Sequence, residues 1–350
     1  MTDTPGDVSR VELAPGYSIA TVINGCWQLT PDHGGGPDSR TEMLRRFAEL
    51  VDHGFTTFDC ADIYEGTEEL LGEFRRSLGD TDAVQVHTKF VPDKATLAEL
   101  DDARIDAVID RSRKRLGVEC LDLVQFHWWD YAVPGVERMY ERLLQAQADG
   151  KIRLLGVTNF NTAKLRKLLD QEPAIATMQA QYSLLDRRPE RQMLDCCETN
   201  GVALLPYGVL AGGFLSEKYL GQPAPESMNR SLTKYRLIIE EVGGWKTLQR
   251  LLEVLASIAG KHDAGIDTIA ARWVLDQSAV AAIIVGIGSR SRIKENQLLS
   301  HVTLDAEDRR AIDECLALLA VPEGDPYDLE RDPEGIHTRI IRTNLQEVMP

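Results

Sequence analysis

The chain has little that would tie it to a membrane, a nucleic acid or an oxidising compartment. Its longest apolar runs, such as "AVAAIIVGIG" (279–288), are far too short to span a bilayer. Positive charge is scarce: 39 Lys and Arg stand against 55 Asp and Glu, and the net charge of -16 argues against broad attraction to nucleic acid or acidic lipid. The N-terminus, "MTDTPGDVSRVEL", is acidic and polar, with no basic stretch followed by an apolar one, so no export signal is expected. Cys26, Cys60, Cys120, Cys196, Cys197 and Cys315 show neither CxxC spacing nor a dense framework, and read as reduced thiols in a cytoplasmic setting. Histidine and cysteine spacings suggest no zinc site. There is no low-complexity linker in the 350 residues and no strong sequence repeat.

What repeats is pattern. Short β-rich runs alternate with longer segments of helical period: "FTTFD" before 68–78, "AVQVHTK" (83–89) before 100–116, "LDLVQFH" (121–127) before 136–150, "IRLLGVTN" (152–159) before 162–170. The series continues with "TMQAQYS" (177–183) before 189–200, then "VALLPYG" (202–208), and ends with "AAIIVG" (281–286) before 291–299. With "SIATVING" (18–25) as the first strand there are eight. Strand–helix alternation means parallel strands with crossover helices, and eight units favour a closed barrel. The expected fold is a single α/β (β/α)8 TIM barrel over residues 1–321 with long C-terminal-face loops, followed by a polar C-terminal tail, 322–350, either disordered or wrapped on the rim. The stretch 212–236 reads as a lid or binding loop. "GGG" (34–36) reads as a flexible loop rather than a phosphate cradle.

Asp59, Lys89 and His127 each end an apolar strand, and in a parallel barrel those ends meet on one rim. An isolated acid leaving an apolar strand costs several kcal/mol, about what a neighbouring ammonium can offset, so Lys89 is the expected partner of Asp59. Singly each has a plain structural role: a turn residue, a solvated flank, a core histidine. His87 shares a strand face with Lys89 and is expected to be structural. Tyr64, five residues after Asp59, has a phenol with an ordinary pKa near ~10, a poor acid unless a nearby ammonium stabilises its anion. So placed, it could protonate a carbonyl oxygen as that oxygen gains charge.

These residues, in "FDCADIYEG", "VHTKF" and "LVQFHWWD", resemble the catalytic tetrad of the aldo-keto reductases, and the resemblance runs over most of the chain. It implies Tyr64 as acid, Lys89 and Asp59 as tuners and His127 orienting the substrate carbonyl. It also implies that Thr158 and Asn159 in "GVTNF", with Gln181, hold a nicotinamide carboxamide while Tyr207 stacks on the ring. In "VGIGSRSRIKEN" (285–296), Gly286 and Ser289 are expected near the cofactor phosphates, Arg292 on a 2′-phosphate, and Glu295 and Asn296 at adenine, which favours NADPH. The usual basic or hydroxyl residue two places after Gly286 is replaced by Gly288, and Arg290 is a candidate substitute. Trp27 and Trp128 occupy positions that line the substrate pocket in the family, although adjacent Trp128 and Trp129 point to opposite sides if extended.

The expected function is reduction of a small-molecule aldehyde or ketone by NADPH, without metal, nucleic acid or membrane; oligomeric state has no signature in the sequence. The alternatives are an NADPH-binding regulatory or scaffold protein of the channel β-subunit type, with slow or no turnover, and a redox-neutral enzyme using the same pocket.

Overall fold

The computed structural model describes residues 8–30, 39–226, 228–288 and 291–340. A hairpin, β1 (Arg10–Ala14) and β2 (Tyr17–Ala20), precedes eight parallel strands: β3 (Val22–Gly25), β4 (Thr57–Asp59), β5 (Gln85–Phe90), β6 (Leu121–Phe126), β7 (Ile152–Thr158), β8 (Ile175–Gln179), β9 (Ala203–Leu204) and β10 (Ile283–Gly286). Their order is β10-β3-β4-β5-β6-β7-β8-β9. The two edges meet through backbone hydrogen bonds: Leu204 N to the Ala279 carbonyl (2.7 Å), Ala281 N to that of Leu204 (3.1 Å) and Ile284 N to that of Pro206 (2.8 Å). The expected (β/α)8 barrel is the observed architecture.

Around it lie α1 (Arg40–Asp52), α2 (Thr67–Ser77), α3 (Asp102–Leu116), α4 (Val136–Ala148), α5 (Thr162–Gln171) and α6 (Pro189–Asn200). There follow α7 (Arg230–Glu241), α8 (Trp245–Lys261), α9 (Ile266–Leu275), α10 (Ile293–Leu298), α11 (Ala306–Leu316) and the single turn α12 (Asp328–Arg331). Local chemistry sets several of these boundaries. Asp101 and Asn161 accept from backbone N–H groups of the first turns of α3 and α5, and Gly117 ends α3 at φ 69°. Gly72 is needed for close packing of α2 on α3, because a Cβ there would meet the Arg115 carbonyl at 2.2 Å.

Two hydrophobic cores result. The larger fills the layer between helices and sheet, with Phe47, Phe58 and Phe74 packed edge to face. The smaller lies inside the barrel and comprises Tyr17, Ile19, Ile23, Leu123, Leu205, Ala282 and Ile284. Tyr17 comes from the hairpin and meets His87, 3.1 Å from its Nε2.

Two expectations are corrected. The run 18–25 is not one strand: residues up to Ala20 belong to the hairpin, and the barrel strand begins at Val22. The stretch 212–236 is not all loop, because Asn229 caps α7 by accepting from Leu232 N, and residues 230–236 are helical. Ser289, Arg290 and the 34–36 glycines lie outside the described residues.

Candidate active site

Alternation along the strands decides which side chains enter the barrel. Leu123 belongs to the interior core, so Gln125 and then His127 face the same way; on β8 and beyond it, Gln179 and Gln181 do likewise. At the C-terminal rim these side chains meet Asp59 and Lys89. Lys89 Nζ donates to Asp59 Oδ2 at 2.6 Å and to the Cys60 carbonyl at 2.7 Å. The other carboxylate oxygen accepts from Gln179 Nε2 at 2.7 Å and from Gln125 Nε2 at 3.1 Å, and Gln179 also donates to Gln125 Oε1. Both charged groups are buried, and together these bonds offset the cost of desolvating them.

Tyr64 sits on the loop between β4 and α2, just before Gly66, which takes φ 71° to open the helix. Its ring is 9% exposed, lies 5.3 Å from Lys89 Nζ and packs edge-on against Trp27 at 5.0 Å. Burial, followed by the Asp59 carboxylate, pushes the Tyr64 phenol well above 10. The tyrosine is thereby held protonated, with the Lys89 ammonium beside its ring.

His127 completes the group. Its Nδ1 is 3.1 Å from the Thr158 carbonyl, while Nε2 is buried with no partner. Burial, then the charge of Arg331, brings its pKa down to about 3, so the ring is neutral. A carbonyl can only accept, which places the proton on Nδ1 and leaves the Nε2 lone pair without a partner. His87, with its pKa lowered by burial to about 4, is occupied by Tyr17 and takes no part.

The pocket assignment of Trp128 is corrected. Trp128 is fully buried on the helix side, edge-on to Phe126, and its indole N–H donates to the carbonyls of Asp130 and Val133. Trp129 is the indole that packs on His127, with ring centroids 4.4 Å apart. Residue 128 falls out of phase with His127 along the extended chain, so only its neighbour can share the histidine's side.

The residues expected to hold a cofactor are also brought to this rim. Asn159 adopts a left-handed conformation (φ 60°) and its Oδ1 accepts from the Tyr207 hydroxyl at 2.8 Å. Gln181 donates to Asp186 at 2.6 Å, and its Oε1 is buried without a partner, as suits an acceptor for a carboxamide N–H. Arg292 is ion-paired with Asp267, its Nε is buried and unpartnered, and it lines a cavity of about 290 Å³ with Arg45, Arg46, Gly286, Gly288 and Asn296. Glu295 lies in the first turn of α10 and is not among the residues that line this cavity.

A polar network behind these groups was not anticipated. Asp186 takes two bonds from the fully buried Arg188, which also reaches Glu330 at 3.2 Å. Lys234 on α7 stands 3.6 Å from Glu330 and 3.4 Å from the Tyr207 hydroxyl. Burial alone would raise the Glu330 carboxyl, but Lys234 and Arg188 hold it at about 2. Residues 322–340 thus lie on the rim, with the Tyr327 ring 5.6 Å from that of His127. Among the described residues no group of three or more His, Cys, Asp or Glu is arranged to hold a metal, and no helix is long and apolar enough to cross a membrane.

Comparison with known proteins gives this rim a context. The sequence profile of the Aldo/keto reductase family matches residues 21–317. The chain is 28% identical over 318 residues to flagellar radial spoke protein 5 of Chlamydomonas reinhardtii, covering 73% of this chain and 60% of that protein's length. It is 27% identical to the aldo-keto reductase YhdN of Bacillus subtilis, covering 86% and 91% of the two chains. Among solved structures, the thermostable aldo-keto reductase Tm1743, in complex with the inhibitor epalrestat, matches with TM-score 0.69 and 26% identity over 88% of this chain and 99% of that one. The glycerol dehydrogenase AKR11B4 of Gluconobacter oxydans matches with TM-score 0.70 and 25% identity over 93% and 99%.

Proposed function

The chain belongs to the aldo/keto reductase family, and on that premise we propose that it is an NADPH-dependent reductase of aldehydes or ketones in which Tyr64 is the general acid. Family and fold make it an oxidoreductase acting on carbonyl compounds. The observations that support the finer reading are the buried Lys89–Asp59 pair, the Tyr64 ring 5.3 Å from Lys89 Nζ, and the unpartnered Nε2 of His127 and Oε1 of Gln181 at the same strand ends.

When bound, the reduced nicotinamide supplies the hydride that reduces the carbonyl carbon. The chain's own residues do the rest. Gln181 Oε1 and Asn159 are the groups that fit the carboxamide, and Tyr207, tied to Asn159, presents its ring beside them. Tyr64 is protonated before the reaction, the form a general acid requires. As the carbonyl oxygen gains negative charge it takes the Tyr64 proton, and the phenolate left behind is stabilised by the Lys89 ammonium that Asp59 holds in place. Neutral His127 offers an acceptor at Nε2, so it positions a hydroxyl, either that of Tyr64 or that of the alcohol formed, rather than donating to the carbonyl. The cavity lined by Arg45, Arg46 and Arg292 supports NADPH, because guanidinium groups suit the 2′-phosphate that distinguishes it from NADH. Six free thiols fit a reducing, cytoplasmic setting.

The test is NADPH oxidation followed across small aldehydes, quinones, sugars and pyridoxal, with the alcohol product quantified. Consumption of NADPH matched by alcohol is expected for at least one compound. Tight NADPH binding without turnover of any carbonyl contradicts the reading.

A further inference from the structure

We propose that Arg331, assisted by Lys234, binds a carboxylate on the substrate, so that the carbonyl compounds this enzyme prefers are themselves anions. The inference rests on the reductase reading and names the substrate class for the same cavity.

Among the described residues, several cations at the rim have an acidic partner. Lys89 is paired with Asp59, Arg188 with Asp186 and Glu330, and Lys164 with Glu137. Lys234 shares Glu330 at 3.6 Å. Arg331 forms no ion pair among the described residues. Its Nη2 donates to the Trp128 carbonyl at 2.8 Å, while Nε and Nη1 are buried with no acceptor. Leaving buried donors unpaired costs about 1–3 kcal/mol each, and more when they are charged, so the site is incomplete as it stands.

The guanidinium is also fixed and aimed. It stacks over Tyr131 at 4.2 Å and Tyr327 at 5.0 Å, an arrangement that keeps it planar and restricts its rotamers. Tyr327 lies 5.6 Å from the His127 ring and 5.8 Å from Lys234 Nζ, so one aromatic ring separates the two cations from the reacting centre. Arg331 is, after burial, the next influence lowering the His127 pKa, so its field reaches the same cavity. The proposal places the substrate's carboxylate beside Arg331, across the Tyr327 ring from His127, where the contact is charge-assisted.

The experiment uses the full chain with NADPH and two substrates of equal size, 4-formylbenzoate and the neutral 4-formylbenzamide. The ratio of their kcat/KM values cancels any general loss of activity in a variant. In the wild type the carboxylate is expected to be preferred tenfold or more. That ratio should fall to about one in Arg331→Met and take an intermediate value in Arg331→Lys. A wild-type ratio near one, or a ratio unchanged by Arg331→Met, overturns the proposal while leaving the reductase reading intact. If neither aldehyde is reduced, the reductase reading is judged on the wider carbonyl panel, and quenching of tryptophan fluorescence by benzoate against benzamide with NADP+ present decides the subsite separately. Stronger binding of benzoate that is lost in Arg331→Met supports it, and equal binding of the two overturns it.

Discussion

Replacing Asp59 by leucine removes the acceptor for three donors at once: Lys89 Nζ, Gln125 Nε2 and Gln179 Nε2. The ammonium keeps only the Cys60 carbonyl, and removing one partner of a buried ion pair costs about 3–5 kcal/mol. Gln179 retains its bond to Gln125 Oε1, but Gln125 Nε2 is stranded, for about 1–3 kcal/mol more. Asp59→Leu should therefore destabilise the fold by about 4–8 kcal/mol, a large share of the 5–15 kcal/mol typical of a domain. Lys89→Met leaves Asp59 with both amide donors and should cost less, about 3–5 kcal/mol. The double variant Lys89→Met/Asp59→Leu removes the pair together and should be more stable than Asp59→Leu alone, because no unpaired charge remains. Urea unfolding at pH 7, read as midpoint shifts at constant slope, orders the three. An Asp59→Leu cost below about 1 kcal/mol, or a double variant whose cost equals the sum of the singles, would refute the reasoning.

Acid should unfold the protein through its histidines. His87 and His127 have native pKa values of about 4 and about 3 against an ordinary 6.5, so the unfolded chain binds more protons between those values. Their stabilisation is fully present above pH 6.5 and is lost as pH falls, approaching about 2.7 kcal/mol per pH unit for two protons near pH 5. Thermal midpoints that are flat between pH 7 and pH 5 would contradict this. Glu330→Gln should loosen residues 322–340 from Arg188 and Lys234; limited proteolysis should then cut this segment faster than in the wild type, and an unchanged rate would mean that the ion pairs do not hold it.

How much of this was legible follows from physics at particular residues. Asp59, Lys89 and His127 could be read because polar side chains closing short apolar strands have one rim to occupy. The same period of two would have found Gln125, two before His127, and Gln179, two before Gln181; both share a face with a residue already singled out. The hairpin was missed because the β-rich pattern of 17–25 runs on through Thr21, and the break there carries no Gly or Pro. Helix α7 was hidden by its Ser- and Asn-rich entry, where Asn229 is a cap rather than a loop residue. Tail burial was the least readable feature. Glu330 can be buried only because Arg188, 142 residues away, and Lys234 come to meet it, and composition alone makes such a segment look solvated. The Trp128 error came from weighing residue type above strand phase.

The central claim is that the Tyr64 hydroxyl delivers the proton to the carbonyl oxygen. Its most direct test is Tyr64→Phe, assayed both for NADPH oxidation with the best carbonyl found and for NADPH binding by fluorescence titration. The account predicts that turnover falls at least a hundredfold, within the range ordinarily contributed by a positioned general acid, while the NADPH dissociation constant changes less than about threefold. Turnover at the wild-type rate with binding intact would contradict it.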